Sequence, residues 1–276
     1  MFKAIKYVMN QNFSNLYRIY SIARFELLDE MRSNKMGMIW NFLSPTIQIF
    51  TYWLIFGLAW QRKPMDVNGI EVPYLAWLVV GYACWWFVQP CLTNGCKAIS
   101  SKISIIENMV FPVSVLPATI VCKELFNHGC MCIIALVTLF LSGYTPNIYW
   151  LQIFYYMFGA FCISEAMSLI LSVLTMKARD THKWVVSITR MLFYFTPLIW
   201  NCEFSNKVPH HELFSSILKL NPYYYLVTGY RDSIFYSIGF WEHKYQTVYF
   251  WVFTLVMMGI GCWLMYKYRD KFVNLK

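Results

Sequence analysis

The sequence is a succession of aromatic-rich, nearly uncharged stretches of about 20 to 25 residues, with the basic residues gathered on alternate connections between them. A helix rises about 1.5 Å per residue, so roughly 20 apolar residues cross a bilayer core about 30 Å thick. No water is present there to bond free N–H and C=O groups, so stretches of this kind must be helical. The pattern predicts an all-α, polytopic membrane protein. Only 13% of the residues are charged and 58% are hydrophobic, which excludes an ordinary soluble domain and predicts one membrane domain over residues 1–276. The charged N-terminal segment lacks a compact apolar core followed by a small-residue cleavage site, so it is not read as a removable leader.

Hydropathy places six spans, at residues 37–60, 74–95, 113–141, 150–176, 184–200 and 245–266. Residues 1–36, 97–112, 177–183 and 267–276 then share one side and hold fifteen of the 23 Lys and Arg; the opposite side holds six. Basic residues are retained in the cytoplasm, so both termini are expected inside the cell membrane, with the net charge of +9 facing anionic lipid. The basic residues are dispersed over short loops with no aromatic-interleaved basic domain, which argues against nucleic-acid binding. Of nine cysteines, seven lie within apolar stretches and none forms a C-x-x-C pair, so small buried side chains are expected rather than a disulfide framework or metal site.

Three segments depart from simple spanning. Residues 12–35 carry Leu16, Ile19, Ala23, Leu27 and Met31 at three- and four-residue spacing among charges, the mark of an amphipathic helix lying in the interface. Residues 97–112 show helical apolar spacing at Ile99, Ile103 and Ile106 but are too polar to span. Residues 201–244 hold two apolar runs too short to cross, which predicts an external re-entrant helical hairpin. Within it, Asn221 followed by Pro222 reads as a helix N-cap and first helical residue.

Catalytic chemistry finds little support. Carboxylates are scattered singly apart from Asp29 and Glu30, and His210, His211 and Glu212 are adjacent rather than at a helical ligand spacing. No G-x-x-x-x-G-K-[ST] phosphate loop is present, so ATP would have to be hydrolysed by another polypeptide and no cofactor is expected in this chain. Lys123, Glu124, Glu165 and Arg190 fall within spans, each at a cost of about 2.5 to 3.5 kcal/mol if it faced lipid, so all four should face protein or water. Their depths suggest a Glu165–Arg190 pair. Aromatic residues concentrate at Tyr52, Trp53 and Phe56, at Trp85 and Trp86, and at Phe193, Tyr194, Phe195 and Trp200. Core packing and interfacial belts explain such residues in general; in a wet conduit the same rings could stack on sugars.

Four segments in order, MGMIWNFLSPTIQIFTYWLIFG (36–57), SKISIIENMVFPVSVLP (101–117), ARDTHKWVVSITRMLFYFTPLIW (178–200) and LNPYYYLVTGYRDSIF (220–235), carry a family resemblance. The chain resembles the permease subunits of polysaccharide-exporting ABC transporters, most closely those that translocate wall teichoic acid. The resemblance implies a homodimer joined to two copies of an ABC ATPase, forming a channel for a polymer on undecaprenyl diphosphate. It further implies a coupling helix carrying Ile99, Lys102, Ile103, Ile106 and Glu107, with a second ATPase contact at Arg179 and Asp180. The first and fifth spans would form the channel wall, and the hairpin with Tyr223 and Tyr224 its external gate. Export of a capsule or O-antigen chain is the alternative within transport. A membrane transferase acting on lipid-linked sugars, or a secondary transporter, is the rival class.

Overall fold

The computed structural model of the protein describes residues 1–33, 35–60, 64–67, 69–103, 112–200 and 211–269. The chain opens with α1 (Phe2–Ser14) and α2 (Leu16–Ser33), then α3 (Ile39–Tyr52), which continues as a π-helical turn over Trp53–Ala59. A small antiparallel hairpin of β1 (Met65–Val67) and β2 (Ile70–Val72) follows. Next come α4 (Tyr74–Gly95), α5 (Leu116–Leu141), α6 (Gln152–Lys177) and α7 (Thr181–Phe195). The chain then forms α8 (His211–Lys219), α9 (Pro222–Arg231) and α10 (Lys244–Tyr268).

Two expectations are corrected. The expectation of an all-α chain overlooks the β-hairpin, whose Asn-Gly pair at 68–69 is a strong two-residue hairpin signal; Gly69 has φ +80°, a conformation glycine adopts without strain. The second correction concerns the span count. Five helical segments among the described residues are long and apolar enough to cross, Ile39–Ala59, Tyr74–Gly95, Val113–Leu141, Ile148–Lys177 and Lys244–Tyr268. In place of a span over 184–200, α7 has 15 residues, a length of about 22 Å that falls short of the bilayer core. It stops because Pro197 disfavours helical geometry at Thr196, which turns extended at φ −93°, ψ 116°.

The central pillar is α4. Sixteen of its 22 residues are buried, and α5, α6, α7 and α9 all pack on it. In contrast, α3 buries only Pro45 and Ile49. Over residues 12–35, expected as one interfacial helix, the chain forms the end of α1 and then α2, which turns Ile19, Ala23 and Leu27 inward by their four-residue repeat and leaves Leu16 exposed. This stripe lies against the N-terminal end of α5, where Ile19 packs with Val115 and Ala118 and Cys122 closes the cluster. Ion pairs of Glu26 with Lys102, and of Glu30 with Lys123 at 2.5 Å, tie down its polar side. For its part, α1 buries Ala4 and Val8 and runs along α10, where Tyr7 meets Tyr266 edge-on at 5.4 Å.

A charge anchors α9. Asn221 caps α9 by accepting from the Tyr223 backbone N–H at 3.0 Å, with Pro222 opening the helix. At the other end of α9, Arg231 is 4% exposed. Its guanidinium donates to the carbonyls of Pro197 at 2.7 Å and Leu198 at 3.0 Å, just beyond the C-terminus of α7, and to Trp77 of α4 at 3.4 Å. It also lies 3.3 Å from the centre of the Trp77 ring, a cation–π contact in a desolvated place. Gly81 leaves the room: a Cβ there would collide with the guanidinium. Arg231→Met is expected to lower stability by about 3 kcal/mol or more, because charge-assisted bonds are lost and buried carbonyls are left unpaired. Thermal unfolding of the detergent-purified protein measures it, and Arg231→Lys, which lacks the planar fork, should recover only part of the loss.

Candidate functional site

An aromatic cluster joins α3, α4, α7 and α9. On α4, Tyr82, Trp85 and Trp86 share one face at three- and four-residue spacing. Tyr82 lies 5.6 Å from Trp86 and 6.1 Å from Tyr52 of α3, and Tyr52 lies 5.6 Å from Phe193 of α7. Trp85 meets Phe193 edge-on at 5.9 Å and Tyr223 of α9 at 6.2 Å, while Phe193 contacts Tyr194 at 5.3 Å. The structure therefore brings together Tyr52, Trp85, Trp86, Phe193, Tyr194 and Tyr223 from the sequence-predicted set.

Their exposure sorts them. Trp85, Phe193 and Tyr223 are buried within the chain, and the Trp85 indole donates to Gln89 at 3.0 Å, so these three make the packed backing of a wall. Tyr52, Trp53, Phe56, Trp86, Trp200 and Tyr224 are half-buried, whereas Tyr194 and Phe195 are exposed. Trp53 and Phe56 pack against the same core and make ring contacts with Phe50 and Trp60 at 5.9 and 5.1 Å. Trp200 donates to the Tyr194 carbonyl at 2.9 Å. The four-residue repeat Val185, Thr189, Phe193 turns one side of α7 inward, leaving Trp184, Ile188, Met191 and Tyr194 outward. Together with the exposed apolar face of α3, this outward side forms a broad surface that no described residue covers.

The segment expected to couple to an ATPase is only partly described, and Ile106 and Glu107 lie outside the described residues. Ser100–Lys102 form a single 3-10 turn. Ile99 is fully buried in a cluster with Val8, Leu116, Leu169 and Met265, and Ile103 packs against that cluster. Ile99 therefore pins this segment to its own chain rather than offering itself to a partner. Lys102 pairs with Glu26 and donates to Thr119 at 3.1 Å. Arg179 and Asp180 are exposed at the junction of α6 and α7, where Asp180 pairs with Lys183 at 3.1 Å.

The intramembrane charges divide. Lys123 and Glu124 face protein: Lys123 pairs with Glu30, and Glu124 accepts from Asn94 at 3.1 Å and Asn127 at 2.8 Å. The expected Glu165–Arg190 pair does not form. Glu165 is 6% exposed on α6, and neither of its carboxylate oxygens meets a hydrogen-bond partner among the described residues. Arg190 points outward because its neighbour Thr189 takes the inward position on α7. Two anchors escaped the sequence reading. One is Arg231, which lies in the second short apolar run of residues 201–244 and carries no sign in the sequence of its backbone partners. The other is His128 on α5, which bonds the Ala83 carbonyl at 3.1 Å and the Tyr230 hydroxyl at 3.2 Å and so ties α5 to α4 and α9.

Outside the spans, Asp232 and His243 bracket the loop between α9 and α10, with His243 Nε2 at 3.1 Å from Asp232 Oδ2. That bond raises the histidine above its usual value of 6.5, and burial raises the Asp232 carboxyl. Both shifts have the same sign: a group whose pKa rises on folding stabilises the fold at low pH, and that stabilisation is lost as pH climbs through the folded value. Thermal stability of the purified protein is expected to fall as pH rises, from Asp232 above its usual 3.8 and from His243 above its usual 6.5, and His243→Gln is expected to flatten the profile above pH 6.5. An unchanged slope in the variant would assign the pH dependence to other groups.

The sequence profile of the ABC-2 type transporter family matches residues 17–235, from α2 through α9 and the turn that follows it. The O-antigen export system permease protein RfbA of Klebsiella pneumoniae is 27% identical over 251 residues, covering 90% of this chain and 91% of that protein. The protein of the same name from Myxococcus xanthus is 25% identical over 219 residues, covering 79% and 80%. With a matched region this long, over a multi-helix bundle built for the bilayer, the chain belongs to the ABC-2 type transporter membrane family.

Proposed function

We propose that this chain is the membrane-spanning subunit of an ATP-driven exporter of a lipid-linked polysaccharide. The observation that carries the reading is the aromatic cluster on α3, α4, α7 and α9, within a chain whose relatives are named O-antigen export permeases. Ring faces stack on the C–H faces of sugars, and phenol and indole groups bond hydroxyls, a combination suited to a sliding polymer. The relatives favour an O-antigen-like chain over the teichoic acid that the sequence resemblance suggests. A second copy of the chain would cover the outward faces of α3 and α7, closing the channel wall.

With no phosphate loop of its own, the chain depends on a separate ABC ATPase, in two copies for a dimer. The positive-inside rule favours both termini in the cytoplasm, which requires that α7 and the extended residues after it together make a sixth crossing; the exposed Arg179–Asp180 turn is then open to the ATPase. Closure of the ATPase would push this turn and the segment after α4. Rigid helices would pass the displacement to the α7–α9 end of the wall. The hairpin at α9 would serve as the external gate.

Depletion of the protein in a strain that makes a surface polysaccharide tests the reading. The expected outcome is polymer accumulating inside the cell while the surface loses it. Failure to synthesise the polymer at all would point to a transferase instead.

A further inference from the structure

The half of the bundle near α2 contains a cavity of about 510 Å³ between α2, α3, α4 and α5. Two indoles reach it, Trp40 from α3 and Trp86 from α4. Its polar groups are of mixed character. Gln48 gives its NH₂ to Tyr52 at 3.2 Å, which leaves its oxygen free, and Gln89 gives its oxygen to the Trp85 indole, which leaves its NH₂ free. Asn41 and Ser44 hold no side-chain hydrogen bond to another described residue. Asn127 Oδ1 is buried and meets no partner among the described residues. Donors and acceptors are thus both open toward one space.

Charge narrows the ligand. The lining includes the carboxylates Glu30 and Glu124 against the single ammonium of Lys123, which lies between them at 2.5 and 3.9 Å. A phosphate or diphosphate offers acceptors only and would face two carboxylates, so it is excluded by repulsion and by the unused acceptors. A cation engages acceptors only and would leave the Gln89 NH₂ unpaired. A sugar hydroxyl both donates and accepts, and a pyranose ring presents a C–H face to an indole.

We propose that this cavity is a carbohydrate subsite that holds one or two sugar units of the polymer at the cytoplasmic mouth of the path. The inference rests on the exporter reading and sharpens it, since it assigns the neutral sugar chain, and not the lipid diphosphate, to this place. Gln48 and Asn127 accept from sugar hydroxyls, Gln89 and Asn41 donate to them, and Trp86 and Trp40 stack. Through Tyr52 and Trp86, the subsite adjoins the aromatic cluster farther along α4.

Thr93, half-buried on the cavity lining, supplies the probe position. In inverted membrane vesicles bearing Thr93→Cys, labelling by a membrane-impermeant maleimide is followed against the parent protein. Two competitors are used: short oligosaccharides cut from the cell's own surface polysaccharide, and inorganic pyrophosphate. Slowed labelling with the oligosaccharides and not with pyrophosphate is the expected result. Trp86→Ala should raise the oligosaccharide concentration needed by about five- to tenfold, the loss of one aromatic contact. Protection by pyrophosphate, or by neither competitor, would overturn the subsite. A deletion strain separates the two levels: surface polymer lost on deletion with no protection in vesicles refutes the subsite alone, whereas surface polymer unaffected by deletion refutes the exporter reading beneath it.

Discussion

The arrangement of this bundle turns on the Arg231 guanidinium, bonded to the carbonyls of Pro197, Leu198 and Trp77 and laid on the Trp77 ring. An arginine left facing lipid costs about 2.5 to 3.5 kcal/mol, whereas each charge-assisted hydrogen bond contributes about 1.5 to 3 kcal/mol, so two or three good acceptors outweigh the penalty. The acceptors exist because Pro197 ends α7 early and leaves carbonyls without helical partners. The same proline that makes the α7 helix too short to cross by itself therefore provides the seat for α9. One residue joins the end of α7, the pillar α4 and the end of α9.

Around that joint the bundle has a stiff interior and a loose exterior. Most of α4 is enclosed by its neighbours, while the exposed faces of α3 and α7 are not covered by any described residue. A partner that pushed on the α6–α7 turn would find α7 free on one side and held at its far end through Arg231. The aromatic rings at the junction slide past one another with little loss of contact, because offset and edge-on geometries are close in energy. Movement transmitted along α7 would then reach Phe193 and, through it, Tyr52 and Trp85.

The sequence was most legible where a single physical rule applied. Residues 74–95 were expected as a span and form α4 over Tyr74–Gly95, because Pro73 and a continuous apolar run fix the start and polar Asn94 and the Gly95 that follows it mark the end. The inward stripe of α2 and the Asn221 cap were visible as a four-residue repeat and a capping pair. Legibility failed where long-range packing chose between equal options. Hydropathy alone passes over the local break that Pro197 makes in the fifth stretch, and depth alone suggested a Glu165–Arg190 pair although rotation about α7 sends Arg190 outward. Ile99 reads as part of an exposed amphipathic face and is instead buried under α1 and α5. Arg231 escaped notice as an anchor because its partners are backbone carbonyls, which carry no side-chain signature.

Hydrogen–deuterium exchange of the purified protein in lipid nanodiscs tests most directly whether the hairpin is fixed to the wall through Arg231. Amides of α9 and the turn after it are expected to exchange as slowly as those of α4, and far more slowly than those of the exposed α8. Exchange of α9 at the rate of α8 would mean that the hairpin is not held by this joint, and would contradict the structural basis proposed for the gate.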